Sequence, residues 1–166
     1  LRLDKAISDS EIIALFGDFD VDGITSIAVL KIGLEQVGAK LLTYLPDRFT
    51  EGYGLNRNAV HKLAKQGASV LITADCGTSS VEEIALANKL GIDVIVIDHH
   101  TVPEKLPPAL AVINPKRPDS LYPFREMAAV GVAFRFLESF FASKKITFPA
   151  NELIDLVALG TVVDVA

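Results

Sequence analysis

Unbroken apolar runs of strand length alternate along this chain with segments of helical periodicity. Residues 11–16 (EIIALF), 40–45, 68–73 (ASVLIT) and 92–97 (IDVIVI) read as strands. Their β-branched runs are near-continuous rather than alternating, which is the pattern of strands covered on both faces. Between them, residues 24–37, 56–66 and 79–90 have the length and spacing of amphipathic helices. Strand–helix–strand repetition implies right-handed crossovers and a mostly parallel sheet with helices on both faces. The fold class expected is α/β.

Beyond His100 the texture changes. Residues 101–124 hold six of the eight prolines and one short apolar run, 110–113, that reads as a further strand. The rest of that stretch reads as ordered loop near the functional site. Residues 126–143 and 151–159 are helix candidates, the second with Asn151 placed to cap it. They form a helical C-terminal segment whose apolar face expects a partner. The phenylalanines at 134, 136, 140 and 141 follow helical spacing and read as core or domain interface.

The chain has 166 residues, half of them apolar, enough for one substantial core. Residues 1–166 are read as one catalytic domain, a piece of a longer protein whose substrate-closing domain is absent. No apolar run approaches the ~20 residues that cross a bilayer, and no secretory pattern opens the sequence. One cysteine, Cys76, excludes an intramolecular disulfide and fits a cytoplasmic location. The net charge of −5 speaks against a broad basic face for nucleic acid, although bound cations would change that balance locally.

The chemistry concentrates at strand ends. Directly after the first strand comes GDFDVDG, residues 17–23, with Asp18, Asp20 and Asp22 on alternate positions. Three such carboxylates repel one another unless a cation sits among them, and hard divalent cations take oxygen ligands readily. An EF-hand is excluded, because a strand precedes the cluster and Val29 stands where the loop's final Glu belongs. TADCG, residues 73–77, ends the third strand with Asp75, and a carboxylate there can bridge two metals. The fourth strand ends in Asp98-His99-His100, which gathers two of the chain's three histidines beside an acid. Adjacent residues at a strand end diverge. His99 is assigned to metal, His100 to a phosphate oxygen or leaving group, and Asp98 to orienting an imidazole behind them. The sequence leaves the exchange of the two histidines open.

In order and spacing, GDFDVDG, TADCG, DHH and ALGTVVD (158–164) resemble the motifs of the DHH phosphoesterase superfamily. Within it, DGITS (22–26), PDRFTEGYGL (46–55) and YPFREMAAVGVAF (122–134) resemble the branch of single-stranded-DNA-specific exonucleases. That resemblance implies a 5′-to-3′ exonuclease of DNA repair and recombination using two Mn2+ or Mg2+ ions. The implied metal set is Asp18, Asp20, Asp22, Asp75, His99 and Asp164, with Asp75, His99 and His100 at the centre of the chemistry. Phe16 stands where related members carry an initial histidine, and Asp18 is taken to substitute. Single-stranded DNA is the implied partner, together with the protein's own further domains and a single-strand-binding or other repair protein.

For substrate contacts, Arg48 is expected to grip a phosphate and Tyr53 to stack on a base. Glu51 and Asn56 share that glycine-flanked loop. Thr25 and Ser26, at an expected helix start after Gly23, are expected to donate to phosphate. His61 reads as structural, and Lys116, Arg117 and Arg125 as solvated. Two rivals stand: a pyrophosphatase, or a phosphodiesterase for short RNA or cyclic dinucleotides, within the superfamily; and a receiver-like signalling domain outside it, which would bind one Mg2+ and gives the Asp-His-His triplet no role.

Overall fold

The computed structural model describes residues 1–165; Ala166, the last residue of the expected domain, lies outside the described residues. The helices are α1 (Arg2–Ser8), α2 (Val21–Gln36), α3 (Arg57–Lys65), α4 (Val81–Lys89), α5 (Ala129–Lys144) and α6 (Ile154–Asp164). The strands are β1 (Ile12–Gly17), β2 (Lys40–Tyr44), β3 (Ala68–Ala74), β4 (Asp93–Ile97) and β5 (Ala111–Ile113). They form one sheet in the order β2-β1-β3-β4-β5, with every pairing parallel. The α/β expectation holds.

The sheet separates two cores. On one face, Ile13, Leu15, Val70 and Ile72 pack with α1, α2 and α5. On the other, Ala14, Phe16, Leu71 and Val94 pack with α3 and α4. Alternate residues of β1 thus enter opposite cores, which explains why its sequence carries no polar alternation. The expected phenylalanine group joins the first core, with Phe141 fully buried and Phe134, Phe136 and Phe140 packed against it. The outward side of α6 leaves Ile154, Leu159 and Val162 exposed. No helix among the described residues is long and apolar enough to cross a membrane.

Several boundaries differ from the sequence reading. Helix α2 starts at Val21 rather than residue 24, because the Asp20 carboxylate caps it by accepting from Gly23 N at 2.9 Å. Helix α5 starts at Ala129 rather than 126, since its first free N–H groups meet a distant carboxylate. Asn151 does not cap the last helix; it lies inside a 3-10 turn, Ala150–Glu152, and α6 runs on to Asp164. Helix α1 was not expected at all. Its Arg2 donates to Asp93 at 2.5 Å and Glu11 at 2.6 Å, so tertiary ion pairs hold a segment with little local signal.

The chain passes from β1 outward to β2, then returns across β1 to β3. The strand order therefore reverses between β1 and β3, and in open α/β sheets the crevice at the carboxyl ends of such a pair is where ligands bind.

Candidate metal centre

Three strand ends and two helix termini meet in that crevice. After β1, Asp18 is fully buried, and its Oδ1 accepts from Phe19 N at 2.6 Å. Asp20 follows as the α2 cap. The chain then doubles back so tightly that a Cβ on Gly23 would lie 2.5 Å from Asp18 O and 2.6 Å from Asp18 N. Only glycine leaves room for that turn. Asp22, in the first turn of α2, reaches the other way: its two oxygens accept from Ala129 N at 2.6 Å and Val130 N at 2.8 Å. This buried carboxylate closes the N-terminus of α5 and complements its dipole.

After β3, Asp75 adopts φ = 62°, a left-handed conformation costing on the order of 1 kcal/mol or more for a non-glycine residue. The bond from Asp75 N to Ile97 O at 3.0 Å and that from Thr73 Oγ1 to Cys76 O at 2.9 Å fix this turn. Both Asp75 oxygens are buried and without a hydrogen-bond partner among the described residues. Burial, together with the charges of Asp22 and Asp20, pushes its carboxyl up to about 10. Burial likewise raises Asp18 and Asp22.

After β4, Asp98 Oδ1 accepts from His99 N at 2.8 Å, His100 N at 3.1 Å and His100 Nδ1 at 2.8 Å, while Oδ2 accepts from Thr78 N at 2.9 Å. Burial pushes this carboxyl up, but the hydrogen bonds from His100 and Thr78 outweigh it and hold the group at about 2. The two histidines diverge as expected. His99 turns inward, with Nε2 3.3 Å from Asp75 Oδ1 and 3.8 Å from Asp22 Oδ2, and Nδ1 3.8 Å from Asp164 Oδ2. Both of its ring nitrogens are buried and unpartnered among the described residues. His100 is 46% exposed along its side chain, and its Nε2 lies 2.9 Å from the Tyr53 hydroxyl.

Asp164, in the last turn of α6, comes to the site because α6 lies unusually close to α2 and α5. A Cβ on Gly160 would strike Thr25 Oγ1 and come within 2.8 Å of Val130 Cγ1. Donor atoms of Asp75, His99 and His100 lie within 4.8 Å of one another, as do those of Asp22, His99 and Asp164. His99 belongs to both groups. Asp75 and His99 atoms buried without partners among the described residues, in a cluster of carboxylates that repels itself, fit divalent cations with oxygen and nitrogen ligands. Asp18 and Asp20 border the cluster but belong to neither group.

The expected substrate residues divide. Tyr53 meets His100, and the Phe19 ring lies edge-on to Tyr53 at 6.3 Å between centroids. Arg48 places its guanidinium 5.5 Å from the Phe19 ring centroid. These side chains form a row leading away from the acids. Thr25 and Ser26 are a correction: both are buried, and Thr25 Oγ1 donates to Val21 O at 2.7 Å. Because α2 begins three residues earlier than expected, their side chains lie deep in the helix packing rather than at its mouth.

Sequence reasoning missed Asn114 and Thr78. Asn114 is buried just after β5, and its Nδ2 donates to His100 O at 3.0 Å and Thr78 Oγ1 at 3.2 Å. The available signal was its position, a polar residue at the same sheet edge as Asp18, Asp75 and Asp98.

Known proteins resemble this chain in sequence and in fold. The single-stranded-DNA-specific exonuclease RecJ of Bacillus subtilis is 42% identical over 98% of this chain, which spans 20% of that protein's length. The crystal structure of exonuclease RecJ bound to manganese superposes with a TM-score of 0.90 at 34% identity, over 99% of this chain and 42% of that one. RecJ from Thermus thermophilus in complex with Mn2+ gives a TM-score of 0.83 at 31% identity, over 99% of this chain and 23% of that one. This chain thus spans less than half the length of each. A profile described as the DHH family, N-terminal domain, matches residues 12–161, and the chain belongs to that family.

Proposed function

We propose that this chain is the catalytic domain of a metal-dependent exonuclease that hydrolyses single-stranded DNA from the 5′ end, in DNA repair and recombination. The carrying observation is His99, whose two ring nitrogens, buried and unpartnered among the described residues, point to different carboxylates, Asp75 and Asp22 on one side and Asp164 on the other. In this reading Asp18, Asp20, Asp22, Asp75, His99 and Asp164 would hold two Mn2+ or Mg2+ ions. Divalent cations bound there would supply Lewis-acid charge and lower the pKa of a water.

The chain's own residues do the rest. His100, held through Nδ1 by Asp98, turns Nε2 toward the mouth, where it can donate to a phosphoryl oxygen or to the departing group. Arg48 offers a bidentate grip for a phosphate. Phe19 and Tyr53 offer ring faces and edges for a base, a sequence-tolerant contact suited to single strands. Relatives support the substrate class: RecJ of Bacillus subtilis is a single-stranded-DNA-specific exonuclease, and two RecJ structures hold manganese. We assign the activity to the cytoplasm, where the free, buried Cys76 thiol stays reduced, alongside further domains and a repair or single-strand-binding partner.

Calorimetric titration of Mn2+ into the chain and its Asp75→Ala variant tests the metal assignment; two sites, both weakened by the substitution, are expected. Offering 5′-labelled single-stranded DNA, duplex DNA, pyrophosphate and a cyclic dinucleotide side by side tests the substrate. Turnover of pyrophosphate or the dinucleotide, with DNA untouched, would replace the exonuclease reading.

A further inference from the structure

The loop between β2 and α3 carries Arg48 and Tyr53 but has little to hold it in shape. Phe49 is 93% exposed and residues 47–50 all face solvent, so apolar burial cannot fix their conformation. Gly52 and Gly54 have φ near 74° and 79° with open space where a Cβ would stand, so they add freedom rather than contacts.

What braces the loop is Glu51. Its Oε1 accepts from the Tyr44 hydroxyl at 2.5 Å and its Oε2 from Asp47 N at 2.8 Å, while Glu51 N donates back to Asp47 O at 2.9 Å. Asp47 in turn gathers Phe49 N, Thr50 N and Thr50 Oγ1 on one carboxylate oxygen at 2.9–3.0 Å. One end of the brace is anchored in the sheet. The Tyr44 ring stacks on the fully buried Phe16 ring at 5.6 Å, with an interplanar angle of 14°, and Lys62 Nζ lies 4.6 Å from the Tyr44 ring centroid. Phe16 is two residues before Asp18. Glu51 therefore ties the loop to the strand that delivers the first acid, three residues after Arg48 and two before Tyr53.

We infer that Glu51 is a positioning residue for substrate: through Tyr44 and Asp47 it sets Arg48 and Tyr53 at a fixed place relative to the acidic centre. The inference rests on the reading of Arg48 and Tyr53 as substrate contacts. It assigns Glu51 no contact with metal or with reacting atoms. Its loss therefore acts on capture of DNA and leaves the chemical step alone.

The test uses the complete Mn2+-loaded protein and a 5′-phosphorylated single-stranded oligonucleotide. Glu51→Ala is expected to raise KM about tenfold, with kcat within about twofold and Mn2+ affinity unchanged. Tyr44→Phe removes one of the two bonds and is expected to raise KM about threefold, and Glu51→Gln, which retains one acceptor, to fall between. Tyr44→Phe combined with Glu51→Ala should be no worse than Glu51→Ala alone, since both cut the same brace. An unchanged KM in Glu51→Ala, with Arg48→Ala and Tyr53→Ala each raising it, would overturn the positioning role. A lowered melting temperature with KM and kcat unmoved would do the same, marking the brace as structural only. If Glu51→Ala does not fold, Tyr44→Phe decides, and an unmoved KM there overturns the inference. Should Arg48→Ala and Tyr53→Ala leave KM unmoved, the substrate-loop reading fails, and the inference fails with it for that separate reason.

Discussion

Asp98 Oδ1 and His100 Nδ1 are joined by a 2.8 Å hydrogen bond, so the other ring nitrogen of His100 faces the mouth of the crevice, toward Tyr53. The same carboxylate oxygen also collects the backbone N–H groups of His99 and His100. One buried side chain thus sets both the path of the backbone and the pose of the imidazole.

Asp98→Asn retains the shape but turns one acceptor into a donor facing N–H groups. Activity on single-stranded DNA is expected to fall about 10- to 100-fold, with the number of Mn2+ sites unchanged by calorimetry. A pH effect accompanies it. The carboxyl is held at about 2 against an ordinary 3.8, so its contribution is complete above pH 4 and is lost as pH falls through 2. The stability gap between the native chain and Asp98→Asn should therefore narrow on acidification, as denaturant melts at pH 2, 3 and 5 would show.

Asp75 has the opposite sign. Its carboxyl is pushed from 3.8 up to about 10, so in the metal-free chain its ionisation opposes folding. The stability present below pH 4 erodes as pH rises toward 10. With EDTA present, Asp75→Asn should be more stable than the native chain at pH 8, by on the order of a few kcal/mol, and the difference should vanish near pH 4. Asparagine tolerates the left-handed backbone at this position, so no new strain obscures the comparison. Adding Mn2+ should reverse the order at pH 8, because binding to the folded state stabilises the native chain. Melting curves with and without Mn2+ check both halves.

Gly23→Ala should destabilise the fold by about 2 kcal/mol or more, since its methyl would meet the Asp18 backbone, which cannot swing aside as a side chain can. Mn2+ affinity should fall with it, because the same movement displaces Asp18, Asp20 and Asp22 together. Thermal melts paired with calorimetry would detect a variant that loses one property and keeps the other.

Asn114→Ala removes the amide that bridges His100 O and Thr78 Oγ1, and takes that donor from the buried Thr78 hydroxyl. A stability loss of about 1–2 kcal/mol is expected from urea titration. The expected kinetic signature is a lower kcat, since the residue supports the segment that carries His99 and His100.

Much of this fold was legible because the strands are buried on both faces and their apolar runs are uninterrupted. The acids were legible for a related reason: Asp18, Asp75 and Asp98 each follow such a run at once, and all lie on one sheet edge. What escaped was decided by distant contacts. The true start of α5 depends on Asp22, more than a hundred residues away in sequence, accepting from Ala129 N and Val130 N. Helix α1 depends on Arg2 reaching Glu11 and Asp93. Thr25 and Ser26 were misplaced because Asp20, read only as a ligand, also serves as a helix cap, and an earlier start carries both side chains past the mouth into the helix packing. Asn114 was overlooked although the strand before it was read, because a neutral amide carries no charge to mark it beside the acids.

The strand reversal between β1 and β3, and the arrival of Asp164 from α6, have a bearing on quality control of this molecule. Under the proposed metal assignment, no stretch of consecutive residues carries a complete centre. Its ligands come from the exits of β1, β3 and β4 and from the last turn of α6, so the full set assembles only when all four pieces have joined. Under the same proposal, a chain that lacks any one of these pieces is expected to lack the activity that needs the complete centre.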